Sequence, residues 1–155
     1  MRFLCLNHYE QMERESEQKL SEHAVRWLCL ANCHRQQGRQ TTALNYCGCA
    51  FESASLIVSQ YPEGDGYGPT LIALTAVCLA HQFRQLGKNT SAEEVIDLGC
   101  HRLSGFRQRE SSSWMFSLKV LTQPSLWSDF CEYHLGFRLD RLDAETGCGH
   151  VRVVH

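Results

Sequence analysis

Nine cysteines and eight histidines in 155 residues make metal and thiol chemistry the first thing to weigh. A metal ion needs several of these side chains aimed at one point, commonly as Cys-x-x-Cys pairs or a Cys/His quartet. Cys29 and Cys33 share a helix face at i, i+4, but Cys47 and Cys49 point apart on a helix, and no Cys-x-x-Cys occurs. The best quartet is Cys131-x-x-His134 with Cys148-x-His150, two ligands from a helix and two from a tail. Its spacing matches no established zinc pattern, so Cys131, His134, Cys148 and His150 stand as weak metal candidates. Most cysteines fall where small residues pack between helices, and buried, reduced thiols are the expectation. A reactive low-pKa cysteine or a stoichiometric zinc would instead point to a metal- or thiol-based sensor.

Catalysis needs a nucleophile beside a base, or paired carboxylates in a pocket. Glu93-Glu94 suits a helix start, and Asp140 and Asp143 suit a solvated surface. The stretch Glu63-Gly-Asp-Gly-Tyr-Gly68 is glycine-rich. It lacks the strand, lysine and helix of a phosphate loop, and the ligand ladder of a calcium loop. No enzymatic activity and no cofactor are expected.

Composition narrows the remaining classes. Apolar residues form 43% and charged residues 21% of the chain, with a net charge of -2. Those values suit one globular domain with its own core. Lysine and arginine are scattered among acidic residues, so neither a nucleic-acid stripe nor a membrane-binding basic face is expected. The N-terminus has only a short apolar stretch, and the longest apolar run, Leu71 to Ala80, is half a membrane span. A cytoplasmic protein with reduced thiols is the expectation.

The elements that would position any site come from an internal repeat. The segment from Trp27 to Ala43 aligns without a gap on that from Ala76 to Ala92, an offset of 49 residues. Cys29/Cys78, Leu30/Leu79, Ala31/Ala80, Arg35/Arg84, Gln36/Gln85, Gly38/Gly87, Thr41/Thr90 and Ala43/Ala92 are identical. Each copy reads as helix, glycine turn, helix. Gly38 and Gly87 suit the left-handed residue that ends a helix. Thr41 and Thr90 suit the N-caps that follow, with Thr90-x-x-Glu93 in capping-box form. Second helices are expected over about 42–60 and 91–106.

This pattern resembles the tetratricopeptide repeat. Copy one supplies Trp27, Leu30, Ala31, His34, Gly38, Ala43 and Ala50; copy two supplies Ala76, Leu79, Ala80, Phe83, Gly87, Ala92 and Gly99. The resemblance covers roughly residues 24–106. It departs from the family in its period, 49 residues against about 34, because of a longer second helix and the insertion at 61–69. His34 replaces an aromatic residue, and the closing proline is absent. The fold implied is all-α: antiparallel helix hairpins stacked as a tetratricopeptide-like (TPR-like) right-handed array with C-terminal capping helices.

In that family the first helix of each repeat lines a concave groove. Carried over, the groove here is lined by Asn32, Arg35 and Gln36 from copy one and His81, Arg84 and Gln85 from copy two. Two arginines and an asparagine suit a carboxylate or acidic side chain. The cation that carboxylate-clamp members place four residues before the asparagine is Leu28 here, so a full clamp is not implied. The function implied is a non-enzymatic protein–protein interaction module, an adaptor or regulator. It would hold a peptide or helix of a partner, an acidic one in the narrower version, and act as a monomer or homodimer. The alternatives are a chaperone for a secreted or flagellar subunit, dimerising through a long first helix, and the sensor above.

Around the repeat, Met12, Ser16, Leu20 and Ala24 continue one apolar stripe and predict a single long first helix. A helix from about 70 to 86, apolar almost all round, is expected at the centre. Two capping helices are expected over about 113–139, the second opened by Pro124 and running through Leu135 toward Leu139. The domain therefore spans 1–140, with repeat one at about 20–60, repeat two at about 70–106, and a loose tail at 141–155.

Overall fold

The computed structural model of the chain describes residues 1–63 and 66–139. The expected tail, with Cys148, His150 and Asp143, lies outside them, as does Asp140. The regular structure of the described residues is entirely helical. Its α-helices are α1 (Leu6–Met12), α2 (Glu17–Gln36), α3 (Gln40–Gln60), α4 (Tyr67–Gln85), α5 (Asn89–Leu103), α6 (Ser112–Thr122) and α7 (Trp127–Leu135). A single 3-10 turn (Pro124–Leu126) leads into α7.

The two repeat copies close in the same way. Gly38 and Gly87 take φ of 75° and 72°. In copy one, Arg39 N donates to His34 O at 2.9 Å and Gly38 N to Arg35 O at 3.0 Å. In copy two, Lys88 N donates to Phe83 O at 2.9 Å and Gly87 N to Arg84 O at 2.9 Å. This double bond pattern satisfies the last carbonyls of each first helix and turns the chain sharply back. It makes α2 pack on α3 and α4 pack on α5. The small residues shared by the copies lie in those interfaces: Ala31, Ala43, Ala50, Ala80 and Ala92 are all buried. A Cβ built on Gly99 would stand 3.1 Å from the Ala76 Cβ, so α5 approaches α4 as closely as backbones allow.

Helix α4 is the centre. It touches α2, α3, α5, α6 and α7, and every residue from Gly68 to Phe83 is buried. Its position explains why equivalent residues differ between copies. Leu79 is fully buried, whereas Leu30 on α2, at the edge, is 36% exposed. Apolar character all round a helix is what burial on every side requires.

Three local expectations are corrected. The first helix is broken, since α1 stops at Met12 and α2 starts at Glu17. The Ser16 hydroxyl accepts from Lys19 N at 3.2 Å and acts as an N-cap instead of continuing the stripe. The end of α3 holds the break, with Gln60 Nε2 on Glu13 O at 2.8 Å and Tyr61 OH on Glu15 O at 3.1 Å. Second, α3 and α5 begin at Gln40 and Asn89, and neither has a side-chain cap. Thr41 and Thr90 are thus inside the helices, because the N-caps are Arg39 and Lys88, two residues sooner than a threonine cap needs. Third, α7 ends at Gly136, φ 77°. Leu139 is buried, but on a non-helical segment.

Candidate interaction groove

The last turns of α2 and α4 carry five of the six expected groove residues in one place. Arg35 is buried; its Nη2 donates to Asn32 Oδ1 at 2.6 Å. His81, one helix over, is 4% exposed and lies within the field of both Arg35 and Arg84. Burial, reinforced by these two cations, pulls its pKa down from 6.5 to about 4, so the imidazole is neutral at pH 7. Gln85 Nε2 lies 3.2 Å from His81 Nε2 and supplies the N–H that a neutral ring nitrogen accepts. The Arg84 guanidinium covers the Trp127 ring at 4.6 Å. Gln36 is exposed at the edge of the face. Leu28, at the position a clamp would give to a cation, is 1% exposed and belongs to the core.

The floor between α2 and α4 is occupied by the chain itself. Gly136 ends α7 in the left-handed conformation and lets residues 137–139 run back over α2 and α4. Arg35 Nη2 donates to the Arg138 carbonyl at 3.2 Å, and the Phe137 ring centre lies 5.9 Å from the Arg35 Cζ. The Ser128 hydroxyl of α7 donates to the Leu139 carbonyl at 2.8 Å. Phe137 and Leu139 lie against Leu28, Ala31, Cys78 and Gln82, leaving a cavity of about 10 Å³. That is barely the space of one water. The Arg138 side chain faces the other way, pairing with Asp129 at 2.8 Å and with Glu132. Such alternation is that of an extended strand.

The cysteines divide by depth. Cys47, Cys78 and Cys131 are buried, and Cys78 Sγ lies 3.8 Å from Cys131 Sγ. The Cys78 contact and burial push the Cys131 thiol far up, and burial does the same for Cys47. Burial and the neighbouring Glu52 raise Cys49 to about 11. Cys47, Cys49 and Cys131 are therefore protonated thiols at neutral pH and poor nucleophiles. Cys5, Cys29 and Cys33 are exposed, and for Cys29 and Cys33 this corrects the expectation of burial. Cys131 meets Cys78 and not His134. That histidine packs among aromatic rings instead, 4.8 Å from Phe130, 4.9 Å from Tyr133 and 6.3 Å from Tyr67. Among the described residues no three His, Cys, Asp or Glu side chains converge as a metal site.

A cleft of about 360 Å³ lies elsewhere, between the ends of α3 and α5, with Ser55, Ser59, Arg102 and Arg107 on its walls. Arg107 is already paired with Glu63 at 2.6 Å, and the cleft is open and shallow. Among the described residues no helix is long and apolar enough to cross a membrane. No protein-family model, no curated protein and no solved structure matches the chain.

The repeat offset makes the Arg35/Arg84 register legible in the sequence, but it does not single out Trp127, Phe137 and Leu139 as the residues that cover that face. The signal was Gly136 followed by an apolar–polar–apolar triplet, a helix stop and then a strand-like alternation.

Proposed function

We propose that this chain is a non-enzymatic interaction module of TPR-like, right-handed build, and that the face formed by α2 and α4 holds a segment of a partner protein. The observation that carries the reading is the convergence of Arg35 and Arg84, from equivalent repeat positions, on His81, at a face where the Arg138 carbonyl already accepts from Arg35. Arg35 gives a carbonyl a charge-assisted bond, stronger than a neutral one. Neutral His81 adds no third charge, and Arg84 stacked on Trp127 has a fixed orientation. A carbonyl or a carboxylate satisfies such donors, which keeps an acidic segment within the proposal. The matched glycine turns and the buried small residues support the repeat architecture.

The test is selection of a displayed random-peptide library on the full chain, followed by amide NMR mapping of the enriched peptide. The expected result is shifts confined to Asn32, Arg35, His81, Arg84, Gln85 and their neighbours. An Arg84→Glu variant with unchanged circular dichroism should lose the peptide at least about tenfold, the scale of one charge-assisted contact. Shifts centred on α5, or no enriched peptide, would contradict the reading.

A further inference from the structure

We infer that the partner segment is extended and carries an aromatic residue and a leucine two positions apart, and that residues 137–139 are an internal copy of it that must leave before the partner binds. This inference rests on the groove reading above. Three observations converge on it. The resident segment is held by its backbone, through Arg35 on the Arg138 carbonyl and Ser128 on the Leu139 carbonyl. Recognition of main-chain groups in an extended chain is independent of sequence, so it serves any strand-like ligand equally. Specificity comes from alternate side chains, here Phe137 beside the Arg35 guanidinium and Leu139 at the small cavity it shares with Ala31 and Cys78.

The resident segment also has the marks of an exchangeable element. It contributes no regular structure, and Phe137 is only half-buried. Its Arg138 side chain anchors it through exposed ion pairs to α7, which are worth little each. Because the same site cannot hold two backbones, the apparent affinity for a partner is reduced by the fraction of molecules in which the site is open. Weakening the resident segment therefore tightens partner binding, whereas weakening a structural cap would not.

The experiment uses the full chain and a fluorescein-labelled, end-capped peptide Leu-Gly-Phe-Arg-Leu, the sequence of residues 135–139, read by anisotropy. A Phe137→Ala/Leu139→Ala double variant should bind it at least about tenfold tighter than the unaltered chain, since removing both anchors raises the open fraction. A control peptide with serine in place of Phe and Leu should not bind. Arg138→Ala removes only the resident segment's ion pairs to Asp129 and Glu132, leaves the peptide's own arginine intact, and should give about a threefold gain; it serves if the double variant fails to fold. Equal affinity of variant and unaltered chain, with NMR shifts on α2 and α4, would overturn the internal copy while leaving the groove standing. No binding to either opened variant would overturn the aromatic-x-leucine pattern. Binding that maps away from α2 and α4 would overturn the groove with it.

Discussion

His81 sits between two arginines with its pKa held near 4 against an ordinary 6.5, and this has a consequence for stability. The unfolded chain takes up a proton near pH 6.5 and the folded one does not until about pH 4. The stability that neutral His81 contributes is therefore complete above pH 6.5 and lost as pH falls toward 4, about 3 kcal/mol in all. Thermal unfolding from pH 7 to 4.5 should show this slope, and His81→Gln should flatten it. A variant with the same slope would remove His81 as its source. A second residue, Gln82, is buried on α4 and donates to the Gln40 side chain at 2.5 Å and its carbonyl at 3.2 Å. Gln82→Ala leaves the groups on Gln40 without this donor and should cost about 1–3 kcal/mol in denaturant unfolding. At this scale the register of Arg35 and Arg84 was legible, because one offset produced both. Their partners were not, since Trp127 and Phe137 come from a region outside the repeat where no second copy exists to compare.

At the scale of elements, the glycine turns were legible because left-handed φ narrows the choice of residue to glycine more than to any other. The break before α2 was not. Met12, Ser16, Leu20 and Ala24 fit a helical stripe, and what opposes it is the Ser16 hydroxyl accepting from Lys19 N together with the distant Gln60 and Tyr61 side chains on the carbonyls of the break. The N-terminal segment likewise left little trace. Phe3 N and Leu4 N donate to the two carboxylate oxygens of Glu52 at 2.9 and 2.7 Å, and the Phe3 ring lies on Gly48. A Cβ on Gly48 would fall 2.0 Å from that ring, an impossible contact. Gly48→Ala should therefore expel Phe3 from α3, with a loss of about 1–3 kcal/mol in chemical unfolding and faster exchange of the Phe3 and Leu4 amides. Unchanged exchange at both would show that the segment is not seated there. Gly99→Ala meets Ala76 at 3.1 Å, a contact that the helices relieve by shifting a few tenths of an ångström, and should cost less.

For the whole molecule, the sequence made α4 recognisable as the centre, since a helix apolar on all sides has nowhere else to go. Truncating Leu79, fully buried there, to alanine should cost about 2–5 kcal/mol by global unfolding. Which face stays available to a partner depends on how α7 and residues 137–139 fold back, a contact more than a hundred residues from Arg35 in sequence that leaves no periodic signal. The central claim is that this face, and not the outer helices, meets another protein. The most direct measurement replaces Gln36 or Gln85, at the groove, and Glu93 or Glu94, on exposed α5, with a photo-crosslinking amino acid in the source cell. Adducts with another protein from positions 36 and 85, and none from 93 and 94, are the predicted result. The same adducts from both faces, or adducts from 93 and 94 alone, would contradict it.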